Sequence, residues 1–230
     1  MHRYAIYYAP PRAHPLWRLG CSILGRDPET DEAMAQPRLD GIDAARMAEI
    51  TAEANRYGWH ATLKSPFALA GGTTLAQLEN ELSRFASAHR PFDIPALRLA
   101  SFSSGYTVLI PAAPISPLDA LAADCVCAFD HFRAPPSEAE LARRRRRGLS
   151  PEEEANLLRW GYPRVMELFE FHMTLTQRLA GEEQARVVAA LRLLLADAIA
   201  GPLPVDDIAL YAEAAKDAPF RLLRRYRLGG

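Results

Sequence analysis

Two tripeptides in this chain, His60-Ala61-Thr62 and His172-Met173-Thr174, place an imidazole and a hydroxyl two residues apart. Along an extended strand residues i and i+2 project from one face, so each tripeptide sets a proton-transfer group beside a hydrogen-bond donor. In-line displacement at phosphorus needs a base beside the entering water and an acid beside the departing oxygen, on opposite sides of the phosphorus. Histidine suits both tasks, because an ordinary pKa of about 6.5 lets one ring be neutral while another carries a proton. Threonine hydroxyls can donate to the non-bridging oxygens as charge builds on them. The chemistry needs no metal and no cofactor, and neither histidine has a second His, Cys or carboxylate at metal-ligand spacing on its strand face.

With 6 histidines and 8 threonines among 230 residues, chance supplies roughly 0.2 His-x-Thr tripeptides. Two is an enrichment that gains weight from its surroundings. Both tripeptides continue with Leu, and both sit in strand-like runs. Tyr57 to Leu69 alternates, with Trp59, Leu63 and Phe67 on one parity and His60, Thr62 and Lys64 on the other. Glu167 to Leu179 reads as a second strand, with His172, Thr174 and Thr176 on one face and Arg178 extending it. Lys64, Thr176 and Arg178 are therefore candidate substrate-binding residues, although a snorkelling surface lysine fits Lys64 equally well. Tyr7, on an opening strand Tyr4 to Tyr8, is a candidate floor for the cleft between the motifs.

These motifs need elements to bring them together. A helix is expected from about His14 to Leu24, a loop over Gly25 to Asp40, and a helical turn or two within Ile42 to Arg56. Thr74 and Gln77 form a capping box ahead of the apolar stripe Leu75, Leu78, Leu82 and Phe85. Strands over Asp93 to Ser101 and Tyr106 to Ile110 come next. Ser116 reads as an N-cap with Pro117 at N1, Ser137 and Ser150 each open a helix with Glu three residues on, and Gly161 stops the last of these. The pattern repeats: each His-x-Thr strand precedes a long amphipathic helix and then strand-like runs, with Ile94 lying 34 residues after His60 and Asp206 lying 34 after His172. The expectation is an α+β fold with two antiparallel sheets lining a central cleft and helices on the outer faces. Residues 1–230 would form one bilobed domain, with lobes near 1–113 and 114–230 and the opening strand free to cross between them.

Composition narrows the partners. The formal net charge is −1 and charged residues make up 24% of the chain, so no global charge recruits nucleic acid or anionic lipid. No apolar run is long enough to cross a bilayer, since Val187 to Ile199 is broken by Arg192 and Asp197. Cys21, Cys125 and Cys127 make no C-x-x-C pair and read as free thiols, which with the lack of a secretory leader pattern points to the cytoplasm. The arginine run Arg143 to Arg147 reads as a solvated helix end that suits the helix dipole, with contact to a phosphorylated or RNA-like ligand as the alternative.

The paired His-x-Thr strands resemble the two-histidine (2H) phosphoesterase superfamily, which includes RNA 2′,3′-cyclic phosphodiesterases and 2′-5′ RNA ligase-like proteins. Arg56-Tyr-Gly-Trp-His-Ala-Thr-Leu-Lys64 and the stretch from Trp160-Gly-Tyr-Pro-Arg164 through His172-Met-Thr-Leu-Thr176 are similar to a bacterial branch associated with phosphonate-utilisation operons. The resemblance covers nearly the whole chain. It implies a bilobed fold with a central cleft, His60 and His172 as acid and base, and Thr62 and Thr174 as phosphate-binding hydroxyls. It also implies a small phosphorylated substrate, a cyclic or diester phosphate of ribose, with an intermediate of phosphonate breakdown as one candidate. RNA-end ligation, or non-catalytic binding of a nucleotide or RNA end, are the competing expectations. Which histidine is base, and the oligomeric state, stay open.

Overall fold

The computed structural model describes residues 2–146 and 148–229, which leaves Arg147 of the arginine run outside the described residues. The chain opens with β1 (Arg3–Tyr8), α1 (Pro15–Leu24) and α2 (Ala44–Tyr57). The first His-x-Thr motif leads β2 (Ala61–Phe67), α3 (Leu75–Ala88), β3 (Phe92–Ile94), β4 (Leu97–Ser101) and β5 (Thr107–Pro111). After α4 (Ser116–Ala128), α5 (Glu138–Arg145) and α6 (Pro151–Trp160), the second motif leads β6 (Met173–Thr174), α7 (Gly181–Ala200), β7 (Leu203–Val205), β8 (Asp207–Glu213) and β9 (Phe220–Arg227). The order strand, long helix, short strand, hairpin occurs twice.

Antiparallel strands form two sheets: a seven-stranded one in the order β4-β5-β6-β2-β1-β8-β9 and a two-stranded one made by β3 and β7. Equivalent elements of the two copies meet, as a pseudo-twofold axis requires. β3 pairs with β7 through Ile94 and Leu203, and β2 pairs with β6 through Ala61 and Met173. Packing is reciprocal as well, with α3 of the first copy lying on β9 and α7 of the second on β4. The helices bury matched stripes, Leu78, Leu82 and Phe85 on α3 and Val187, Leu191 and Leu195 on α7, at the three- and four-residue spacing that keeps side chains on one helical face. Symmetry fails where β1 inserts between β2 and β8, a position that β5 occupies directly beside β6 in the other half.

Local chemistry accounts for the element ends. Capping boxes form at Thr74/Gln77, Ser137/Glu140 and Ser150/Glu153, and Gly161 ends α6 at a left-handed φ of 74°, a conformation that costs glycine least. Several expectations are corrected. α2 is a full helix rather than a turn or two, because the Asp43 side chain accepts from Arg46 N and caps it. Ser116 lies inside α4, whose N-cap is Ile115 with no side-chain bond. Pro95 splits the Asp93 to Ser101 run into β3 and β4, since proline offers no N–H to continue a ladder. The run Glu167 to Leu179 contributes only β6: a 3-10 turn spans Met166–Leu168, and after Thr174 the Leu175 and Thr176 amides both turn to the Thr107 carbonyl before Gln177 N leaves for Ile50 O. No helix is long and apolar enough to cross a membrane among the described residues.

Candidate active site

The two motifs meet at the seam of the large sheet. Ala61 and Met173 are antiparallel partners, so the same register sets His60 across from Thr174 and Thr62 across from His172. Directly opposed residues share a face. Ala61, Leu63, Met173 and Leu175 point into the core, while His60, Thr62, His172 and Thr174 are partly exposed on the other side. The four side chains thus occupy the corners of one patch, with the histidines on its diagonal, a separation of roughly 7–8 Å for strand neighbours of this kind. Through-space repulsion from His172 on the His60 ring agrees with that placement.

Both rings are held the same way. His60 Nδ1 lies 2.8 Å from the Gly58 carbonyl and His172 Nδ1 lies 2.7 Å from that of Glu170, each two residues upstream. A carbonyl can only accept, so each Nδ1 carries the proton and each Nε2 is left for the cleft, as a lone pair in the neutral ring or an N–H in the charged one. Thr62 Oγ1 stands 3.3 Å from His60 Nε2. The Gly58 carbonyl is itself fixed by an unusual backbone: φ is +78°, and a Cβ there would lie 2.7 Å from Pro28 Cβ.

Aromatic rings complete the walls. Tyr7, paired with Thr62 on the neighbouring strand, stacks on His60 with centroids 3.8 Å apart and an interplanar angle of 19°. Tyr57 and Tyr211 flank the same imidazole at 6.4 and 6.1 Å, and Phe102 meets His172 edge-on at 5.3 Å. Burial holds the His60 pKa down to about 4, with His172 adding to the effect and the Gly58 bond opposing it. Burial also lowers His172, but there the Glu170 carbonyl and carboxylate favour the proton while Arg164 opposes it. Both imidazoles are therefore mostly neutral near pH 7 in the free protein, and an anion between them would raise both pKa values.

Behind His60, the Tyr211 hydroxyl donates to the Trp59 carbonyl at 3.1 Å, and the fully buried indole of Trp59 packs on Gly20 of α1. A Cβ at Gly20 would stand 2.2 Å from Trp59 Cε2, so nothing larger than glycine fits without moving the indole. Gly20→Ala is expected to cost about 1–3 kcal/mol or more as an overpacked core and to lower turnover by shifting His60. Denaturant unfolding checks it, and a variant within about 0.5 kcal/mol of the parent contradicts the packing.

Of the residues expected along the strand faces, Tyr7 joins the histidines and three do not. Register along β1 changes between Tyr7, opposite Thr62, and Ile6, opposite Lys64, so β2 bulges at Leu63. A one-residue bulge transfers the residues beyond it to the other face. Lys64 is accordingly buried away from His60, its ammonium donating to Val126 O at 3.0 Å and lying 3.6 Å from Asp130. Burial brings its pKa down to about 8. Thr176 lies beyond the end of β6 at Thr174: it is buried, donates to Gln177 O and accepts from Thr107 N. Arg178 is exposed with its guanidinium over the Tyr106 ring at 5.4 Å. Tyr211 and Phe102 lie outside both strand patterns because other elements bring them in, and Tyr57, expected at the start of the first strand, ends α2 instead, with β2 beginning at Ala61. Among the described residues no group of three His, Cys, Asp or Glu could hold a metal ion.

A protein family described as of unknown function, DUF1045, matches residues 62–221, from Thr62 through His172 to Arg221. The chain belongs to the DUF1045 family. This DUF1045 member is 37% identical over 235 residues to a protein named ribose 1,5-bisphosphate phosphokinase PhnN from Janthinobacterium sp. (strain Marseille), covering 100% of the chain and 51% of that protein. It is 39% identical over 223 residues to the protein of the same name from Laribacter hongkongensis (strain HLHK9), covering 96% of the chain and 51% of that protein. The DUF1045 chain thus spans about half the length of the curated relatives it matches. Among solved structures it is similar to one described as a phosphoesterase, with a TM-score of 0.46, 15% identity and coverage of 100% of this chain and 99% of that one. It is also similar to E. coli LigT complexed with phosphate, with a TM-score of 0.41, 15% identity and coverage of 100% and 98%.

Proposed function

We propose that this chain hydrolyses a cyclic phosphodiester of a ribose phosphate without a metal, His60 acting as base and His172 as acid. The observation that carries the reading is the matched anchoring of the two rings, each held through Nδ1 by the carbonyl two residues upstream and each leaving Nε2 on one shared face. Water attacks phosphorus while its proton passes to His60 Nε2. The bond from phosphorus to the departing ribose oxygen breaks, and that oxygen takes the proton from His172 Nε2. The product is a phosphomonoester beside a free hydroxyl, and the two rings have exchanged protonation states. Thr62 and Thr174 donate to the non-bridging oxygens. The assignment of roles rests on the electrostatics: the deeper, more strongly depressed His60 stays neutral, and His172 has a carboxylate in range that favours its proton.

The relatives supply a substrate class. A protein twice this length that bears the name of a ribose 1,5-bisphosphate kinase would be fed by a half that opens a 1,2-cyclic phosphate on ribose 5-phosphate, because ring opening at O2 leaves a phosphate on C1 and another on C5. Such a water-soluble metabolite fits a cytoplasmic enzyme. The test is turnover of a panel of ribose and nucleoside cyclic phosphates in EDTA, with the His60→Ala/His172→Ala variant as blank. Metal-independent ring opening absent from the blank supports the reading. Failure to open any of them, equal rates in the blank, or joining of RNA ends in place of hydrolysis contradicts it.

A further inference from the structure

The segment between the two repeat copies carries a cation that the catalytic scheme does not use. Within the last turn of α5, Arg143 and Arg145 are exposed, and Arg145 is paired with Glu154 at 2.6 Å. Arg144 differs. It is partly buried, its guanidinium carbon lies 4.7 Å from the centroid of Tyr162, and among the described residues no carboxylate lies within 4.0 Å of it. The acid that acts on it, Glu140, is engaged in capping α5 at Ser137 N. The remaining groups acting on Arg144 are Tyr162, Arg143 and Tyr57. Tyr57 lies 6.4 Å from His60, and Tyr162 acts in turn on Tyr7, whose ring covers that imidazole. Tyr162 lies two residues before Arg164, whose guanidinium is 3.8 Å from the carboxylate of Glu170, the residue that anchors His172, so Arg144 and Tyr162 border the cleft, with no carboxylate paired to the Arg144 guanidinium among the described residues. Desolvating a guanidinium is costly, and its planar fork matches a phosphate edge with two parallel hydrogen bonds.

We propose that Arg144, backed by Tyr162, forms a second anion subsite that holds a phosphomonoester of the substrate distinct from the phosphate being opened. The substrate is then a doubly phosphorylated sugar, and selection for it resides in the α5–α6 segment rather than in the histidine patch. The proposal rests on the hydrolytic reading for its kinetic form, so a binding measurement accompanies it. Calorimetry with ribose 5-phosphate, which has a monoester but no ring to open, is run on the parent chain, Arg144→Gln and Arg145→Gln. Binding is expected to weaken about 10- to 100-fold in Arg144→Gln, as for loss of a charge-assisted bond, and to survive in Arg145→Gln. In kinetics, the preference of the parent for a cyclic phosphate bearing a 5-phosphate over one lacking it collapses in Arg144→Gln. A parent chain that does not bind ribose 5-phosphate, or an Arg144→Gln variant that binds it unchanged, overturns the subsite. Retained, Arg144-dependent binding with no turnover of any cyclic phosphate leaves the subsite standing and removes the hydrolytic reading instead.

Discussion

Alanine at His60 or at His172 is expected to lower kcat by about 10²–10⁴-fold, the usual contribution of one positioned acid or base, while far-ultraviolet circular dichroism shows a folded chain. The two losses should not multiply in the double variant, because a base and an acid that serve one displacement act as a unit. His60→Ala removes the acceptor for the water proton. His172→Ala strands the departing alkoxide without a proton, so its defect should shrink with substrates whose leaving oxygen is intrinsically acidic. That asymmetry separates the roles: an aryl phosphodiester with a good leaving group is expected to rescue His172→Ala and not His60→Ala. Undiminished turnover in either single variant would end the account, and rescue confined to His60→Ala would reverse the assignment.

Thr62→Val and Thr174→Val should each reduce kcat by about 10²–10³-fold, the loss typical of one preorganised donor to a developing oxyanion. Valine keeps the β-branched shape that suits a strand, so the change removes a hydroxyl from a surface that otherwise persists. The register explains why both matter: each threonine faces the histidine of the opposite strand, so the hydroxyls lie on the second diagonal of the same patch. Serine at either position should restore most of the rate, which a purely packing role for threonine would not allow. Valine variants within about threefold of the parent would show that the hydroxyls do not contact the phosphate, since one charge-assisted bond alone is worth more than that.

How much of this was legible in the sequence depends on the range of the interactions involved. The His-x-Thr pairs, the three capping boxes and the internal repeat are written in spacings of a few residues, and the repeat order then brings equivalent strands together at β2·β6 and β3·β7. The side chains beyond each threonine leave the expected face for different local reasons, a bulge at Leu63 after the first motif and the end of β6 at Thr174 after the second. A bulge adds one residue and inverts a period-two pattern without leaving a compositional mark, and an early strand end is equally silent here, so Lys64 and Thr176 read as neighbours of the histidines although they are buried elsewhere. Residues that reach the cleft from distant elements, Tyr211 from β8 and Phe102 from the β4–β5 turn, belong to no local pattern. In the arginine run, sequence shows a helix end dense in charge, but only packing against Tyr162 distinguishes Arg144 from the exposed Arg143 and Arg145 beside it.

The central claim is that both imidazoles present Nε2 to one anion, and nitrogen-15 NMR of the histidine rings tests it most directly. In the free protein His60 should stay neutral until the pH falls toward about 4, below the ordinary value of about 6.5, and His172 should also titrate below its ordinary value. Inorganic phosphate favours the charged rings, so its addition should raise both midpoints and shift both Nε2 resonances along one saturation curve with a single half-point. A response from only one ring, or two curves with separate half-points, would place the histidines in different sites and contradict the account.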